Sequence, residues 1–250
     1  MARYLLTNPM NQHSREECQV VKQLLAAAAF VAGMTVAGIA SAAPQLQLSL
    51  DDGSGNSALL IDVAATGLLS LNGPFGNWTV NVTTGTGFPV TGTLQEPVID
   101  LNSVNVATGS GGQLVIKLTQ IGLTSSTATG PFLAELGGTI TSQSVGASLE
   151  YKAYVDSTNA VFGTQTLIGE STFGAGAFAF SQSTVAPTGP LYSMTEIVTL
   201  RAPSGTAGGT NVAFSFDGSL GYESSVPEPG TLALLGLGLA GLAASRKRKQ

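Results

Sequence analysis

The chain has 250 residues, of which only 10% are charged and 32 are glycine. That length fits one large domain or two small ones, and so few charges beside so much Gly, Ser and Thr suit a β-rich extracellular body and fit a cytosolic helical enzyme poorly. Between residues 43 and 226 twelve carboxylates stand against three cations, Lys117, Lys152 and Arg201, a local net charge of −9 that leaves no footprint for nucleic acid or anionic lipid.

Arg3, Arg15 and Lys22 precede an apolar run over residues 24–39, and Ala40-Ser41-Ala42 follows as a small-x-small cleavage site. This order reads as a secretory signal peptide over residues 1–42, cut after Ala42. Its removal changes the chemistry left in the chain. The only Cys is Cys18 and the only His is His13, so the exported protein would carry neither thiol nor imidazole. Disulfides, Cys/His zinc sites, Cys nucleophiles and Ser-His-Asp triads are then excluded, and no cofactor is expected.

From residue 44 to 223 alternation of apolar and polar residues dominates, with almost no helical periodicity. Leu46, Leu48 and Leu50 alternate with Gln45, Gln47 and Ser49. The same pattern recurs around Trp78, Val80 and Val82; Leu114, Ile116 and Leu118; Ala147, Leu149, Tyr151, Ala153 and Val155; Phe178 and Phe180; and Val212, Phe214 and Phe216. Each reads as a strand with one buried and one wet face. Residues 59–64 and 68–71 are apolar enough for inner strands, 167–173 and 194–200 are further strands, and 98–106 changes phase near Ser103 as a bulge would. Turns are expected at Asp52-Gly53-Ser54-Gly55, Asn72-Gly73-Pro74, Gly109 to Gly112, Gly137-Gly138, Pro187 to Pro190, Pro203-Ser204-Gly205 and Asp217-Gly218, and a loop over 125–131. Ten to twelve short strands predict an all-β fold, an antiparallel β-sandwich of jelly-roll type. Trp78, Tyr151, Phe178, Phe214 and Phe216 are its main core candidates. A helix flanks it at each end: the N-terminal signal helix and a C-terminal transmembrane helix.

Several constellations carry candidate chemistry. Asp51, Asp52, Asn56 and Asp62 are a candidate calcium set, although the EF-hand spacing fails; the plainer reading is a polar turn whose Asp side chains bond nearby amides. Asp100, Glu150, Asp156 and Glu170 are conceivable members of a carboxylate pair for glycoside cleavage, with nothing in their spacing to select two. Tyr154, Tyr192 and Tyr222 are candidates for stacking on sugars. Asn77-Trp78-Thr79 and Asn81-Val82-Thr83 match glycosylation sequons and read better as cross-strand Asn/Thr ladders. The Gly-rich stretches lack the Lys-Ser/Thr pair of a phosphate loop.

The chain closes on three features in sequence. Pro227-Glu228-Pro229 lies in a short linker, 224–230. An uncharged Leu/Ala/Gly run follows within 231–245, and Arg246, Lys247, Arg248 and Lys249 stand in the final segment, 246–250. The thirteen residues 232–244 would reach roughly 20 Å as a helix against about 30 Å of hydrocarbon, a short span that flanking basic side chains can extend by snorkelling. The four cations place the C-terminus in the cytoplasm and the body outside. The prolines hold the motif extended and accessible.

This arrangement resembles the PEP-CTERM sorting tail of Gram-negative bacterial surface proteins. The resemblance implies an exosortase-type membrane protease as partner, an inner-membrane intermediate, a cut at or near Pro227-Glu228-Pro229, and delivery of the body to the cell surface or extracellular matrix. The expectation is therefore an exported, non-enzymatic structural or adhesive protein, with extracellular polysaccharide as a further candidate partner. The alternatives are a carbohydrate- or calcium-binding module on the same scaffold and a carboxylate-dependent glycosidase or lyase.

Overall fold

The computed structural model describes residues 43–125, 129–143, 145–203 and 211–223. The expected signal segment, linker, transmembrane segment and basic end lie outside the described residues. So does the middle of the loop expected at 125–131. Among the described residues no helix is long and apolar enough to cross a membrane.

Twelve strands are described: β1 (Gln45–Asp51), β2 (Ser57–Ile61), β3 (Leu68–Phe75), β4 (Trp78–Thr86), β5 (Val98–Thr108), β6 (Gly112–Leu123), β7 (Thr129–Ser142), β8 (Ser148–Asp156), β9 (Thr166–Phe173), β10 (Gly176–Pro187), β11 (Tyr192–Ala202) and β12 (Val212–Tyr222). They form two six-stranded sheets, β2-β1-β6-β11-β8-β9 and β10-β7-β12-β5-β4-β3. Every pairing is antiparallel. The chain from β5 onward follows a jelly-roll path. It alternates between sheets except at the β8–β9 hairpin, so that β5-β12-β7-β10 faces β6-β11-β8-β9, with β3-β4 and β1-β2 added as extra hairpins beside β5 and β6.

Alternation in sequence becomes one shared core. Leu46, Leu48 and Leu50 of β1, Leu114, Ile116 and Leu118 of β6, and Leu149, Tyr151 and Val155 of β8 are fully buried from one sheet; Ile99, Leu101, Phe132, Phe214 and Leu220 meet them from the other. Aromatic contacts join the layers: Phe132 meets Tyr192 edge-on at 5.9 Å, Tyr151 meets Phe180 at 5.9 Å, and Phe173 stacks on Phe178 at 4.6 Å. Such pairs favour these offset and edge-on geometries. Trp78, Tyr151, Phe214 and Phe216 are buried as the alternation predicts, whereas Phe178 is only partly covered. The expected bulge near Ser103 is present. Two residues of β5 stand opposite one of β12 between the pairs Phe216–Val104 and Gly218–Leu101.

The structure corrects several expectations. Residues 59–61 and 68–71 supply edge strands, not inner ones, and 62–64 leave the strand for a turn: β2 and β3 each close one end of a sheet, and Leu59, Ile61 and Leu68 are exposed. An apolar run reports hydrophobicity and cannot report whether a neighbour lies beyond it. Gly137-Gly138 and Asp217-Gly218 are not turns but mid-strand positions of β7 and β12, and Asn72-Gly73-Pro74 belongs to β3. Strand β7, at 14 residues the longest described, begins at Thr129 inside the expected loop. Its double glycine hides a strand because another backbone comes close there. A Cβ on Gly138 would collide with the Ser215 carbonyl oxygen and lie 2.7 Å from Phe216 Cβ.

Candidate functional site

The four residues of the calcium expectation fall at two places. Asp51, Asp52 and Asn56 sit in the β1–β2 turn, while Asp62 lies beyond the opposite end of that hairpin, where its amide donates to the Leu46 carbonyl. The hairpin thus holds Asp62 away from the other three. Asp52 Oδ1 accepts from the Ser54 and Asn56 amides at 2.8 and 3.1 Å, and its Oδ2 accepts from Asn56 Nδ2 at 2.6 Å. The Asn56 side chain and the Ser54 amide hold its pKa below the ordinary carboxylate value. Asp51 Oδ1 accepts from the Gly53 amide at 2.7 Å. Burial pushes Asp62 upward, but the Thr66 and Gly67 amides and the Thr66 hydroxyl outweigh it, and the pKa is lowered. These are turn-closing bonds of Asx type. Gly76, in the β3–β4 turn at φ +58°, packs directly on Asp52; any side chain there would collide with the carboxylate. No cluster of three or more metal-ligating side chains occurs among the described residues.

The carboxylates weighed for glycoside cleavage fall at three places, with Glu150 and Glu170 together. Glu150 and Glu170 stand on β8 and β9 beside Lys152, whose Nζ lies 2.7 and 3.9 Å from them. Asp156 ends β8 and accepts from the Thr158 amide and hydroxyl. Asp100 is on β5, in the other sheet. Tyr192 is fully buried and so unable to stack on a ligand; burial raises its pKa. Tyr222 packs on Phe132 at 5.4 Å, and Tyr154 is half-buried on β8.

The concave chemistry lies elsewhere, on the outer face of the β10-β7-β12-β5-β4-β3 sheet. Four cavities run along β12. One of about 600 Å³ holds Asp100, Glu135, Asp217, Ser181 and Ser219. A neighbour of about 270 Å³ shares Glu135 and Ser219 and reaches Val98, Leu133 and Gly221. Two more, of about 310 and 390 Å³, share Thr79, Ala107, Thr141 and Ala213, and the first of them adds Asn81, Asn105 and Ser215. Every outward residue of β12 from Ala213 to Gly221 borders one of them, so they read as a single trough. It exists because those residues are small: Ala213, Ser215, Ser219 and Gly221 on β12, Gly137 on β7 and Ala179 on β10. Sequence reasoning named Asp100 and Asn81 but missed Glu135, Ser181, Asp217 and Ser219. The signal was present as strand alternation in 129–142 and 212–222, obscured by glycines read as turns.

The trough's electrostatics are one-sided. Lys117, Lys152 and Arg201 all belong to strands of the opposite sheet. Asp100 is partly desolvated and faces the charge of Asp217, and both effects raise its pKa. Behind the acidic end, in the core, Gly218 leaves room for Glu196. A Cβ on Gly218 would lie 3.3 Å from Glu196 Oε1 and 2.9 Å from Leu136 Cδ1. Tyr151 donates to that oxygen at 2.8 Å.

Comparison with known proteins adds one firm finding. Among solved structures, TmCBM61 in complex with beta-1,4-galactotriose gives a TM-score of 0.25 at 13% identity, covering 60% of this chain and 92% of that one. The xylan-binding domain from CBM 22 gives 0.30 at 12%, covering 65% and 98%. The infectious bursal disease virus VP2 subviral particle gives 0.20 at 12%, covering 72% and 49%. At these scores the likenesses carry no argument. No curated protein matches the sequence. Residues 225–249, by contrast, match the PEP-CTERM protein-sorting motif, and with it the chain carries the sorting tail of a PEP-CTERM protein.

Proposed function

We propose that the protein is exported, cut at its C-terminal tail by an exosortase, and left at the cell surface or in the extracellular matrix as a structural or adhesive component without catalytic activity. The motif match over residues 225–249 carries this reading. In this scheme the N-terminal signal starts translocation, and the apolar segment within 231–245 halts it. Arg246 to Lys249 keep the end in the cytoplasm. Pro227-Glu228-Pro229 then waits at the outer side of the inner membrane for the protease. The engagement of Glu150 and Glu170 with Lys152, and of Asp156 with the Thr158 amide and hydroxyl, supports a non-enzymatic body. Intact-mass analysis of protein recovered from the cell surface tests the scheme. The expected mass begins at Ala43 and ends within a few residues of Pro229, and Glu228→Ala leaves uncut protein in the membrane fraction. Full-length protein found soluble in the cytoplasm would refute it.

A further inference from the structure

We propose that the trough along β12 seats an extended polysaccharide chain free of anionic groups; the proposal rests on the reading that the body is displayed outside the cell. Its shape is the first argument. The cavities lie in line as two pairs along an eleven-residue strand, a length of roughly 30 Å at the rise of a β-strand. A small molecule needs one enclosed pocket. An open channel of this length suits a polymer.

Hydrogen bonding is the second argument. Strands β7, β12 and β5 are each paired on both sides, so their backbone groups are spent in the sheet. An extended peptide binds sheets at unpaired edges through its main chain, and it finds no such partner here. What the trough offers is side chains: Thr79, Thr139, Thr141 and Ser215 toward one end, and Asp100, Glu135, Ser181 and Ser219 toward the other. Hydroxyls and carboxylates are partners for the hydroxyls of a sugar chain.

Charge selects among sugar chains. Carboxylates border the trough while the three cations of the body stand on the other sheet. A uronic-acid or phosphate-bearing polymer is repelled. A neutral chain is admitted, and an amino sugar gains at the acidic end. The trough also lacks an aromatic platform among the described residues. Phe180 and Tyr222 turn their rings toward the core, against Tyr151 and Phe132. Affinity is therefore spread thinly along the chain and grows with its length.

Affinity electrophoresis of the exported protein recovered from cells tests this, in gels cast with hydroxyethyl cellulose, chitosan or polygalacturonate. Retardation is expected with hydroxyethyl cellulose or chitosan and not with polygalacturonate. It should weaken at least ten-fold in Ser215→Trp, at an exposed position, and in Gly137→Trp, at a half-buried one where a Cβ meets nothing within 4 Å, and persist in Thr172→Trp on the opposite sheet. Thermal melts of the variants confirm that they fold. Four results would each overturn the proposal: no retardation by either non-acidic polymer, equal retardation by polygalacturonate, unchanged retardation in folded trough variants, or chitosan binding that salt removes equally from parent and variants. Intact mass is read on the same samples. Correct cutting without binding sinks the trough alone, and binding without cutting sinks the export scheme alone.

Discussion

Glu196 carries its carboxyl into the core between the sheets, where Tyr151 donates to Oε1 and Oε2 has no partner. Burial pushes its pKa well above the ordinary carboxylate range; the Tyr151 hydroxyl opposes this and the charge of Asp100 adds to it. The folded chain therefore holds this proton more tightly than the unfolded chain does. The stability that results is complete below the unfolded carboxylate pKa, about 4.3, and drains away as pH rises through the folded value. Denaturant titrations should show stability falling across that window, with Glu196→Gln flattening most of the fall. Asp100, raised in the same direction, supplies the remainder. An equally steep fall in Glu196→Gln would refute the assignment. Tyr192 offers a simpler case, since its hydroxyl is buried with no partner. Tyr192→Phe removes an unsatisfied group without changing shape, so it should stabilise the fold by about 1 kcal/mol, read as a raised Tm.

Strand β7 illustrates how an element is decided by its neighbours. Gly137 and Gly138 are adjacent in sequence and opposite in surroundings: a Cβ on Gly137 meets nothing within 4 Å, while one on Gly138 strikes the Ser215 carbonyl. Gly137→Ala should therefore change stability by no more than about 0.5 kcal/mol. Gly138→Ala should cost about 1–3 kcal/mol as the sheet shifts to admit the methyl. Equal effects in a pair of chemical melts would show that β7 is not in this register. The edge strands make the same point in reverse. Leu59 and Ile61 of β2 look like core residues in sequence and face solvent in the fold, because Leu60 between them takes the side that packs on the core. Local pattern fixes which residues share a face. Which faces and edges are covered depends on strands far away in sequence.

For the whole molecule, burial and backbone pairing hold the described body together. A domain of ~180 residues hides roughly 70% of its unfolded surface and needs no covalent staple. With Cys18 as the only thiol, and placed in the expected signal segment, thermal melts of the exported protein should be identical with and without reductant. A Tm lowered by reductant would mean that disulfide-linked dimers through a retained Cys18 contribute to stability, and hence that the segment was not removed. The distribution of charge is also a property of the whole. Three cations on one sheet and a carboxylate-lined trough on the other give the body two chemically distinct faces that no local stretch of sequence displays.

The sequence by itself determined the class of the fold, through alternation of period two, and the sorting tail, through three features in fixed order over a short stretch. Both are local signals, and local signals survive in one dimension. Only the tertiary structure decided the strand order, the edge positions of β2 and β3, the mid-strand glycines of β7 and β12, and the meeting of Asp100, Glu135, Asp217 and Ser181 from four strands. Their residues are separated by up to 117 positions in sequence and come together only because antiparallel pairing sets β10, β7, β12 and β5 side by side.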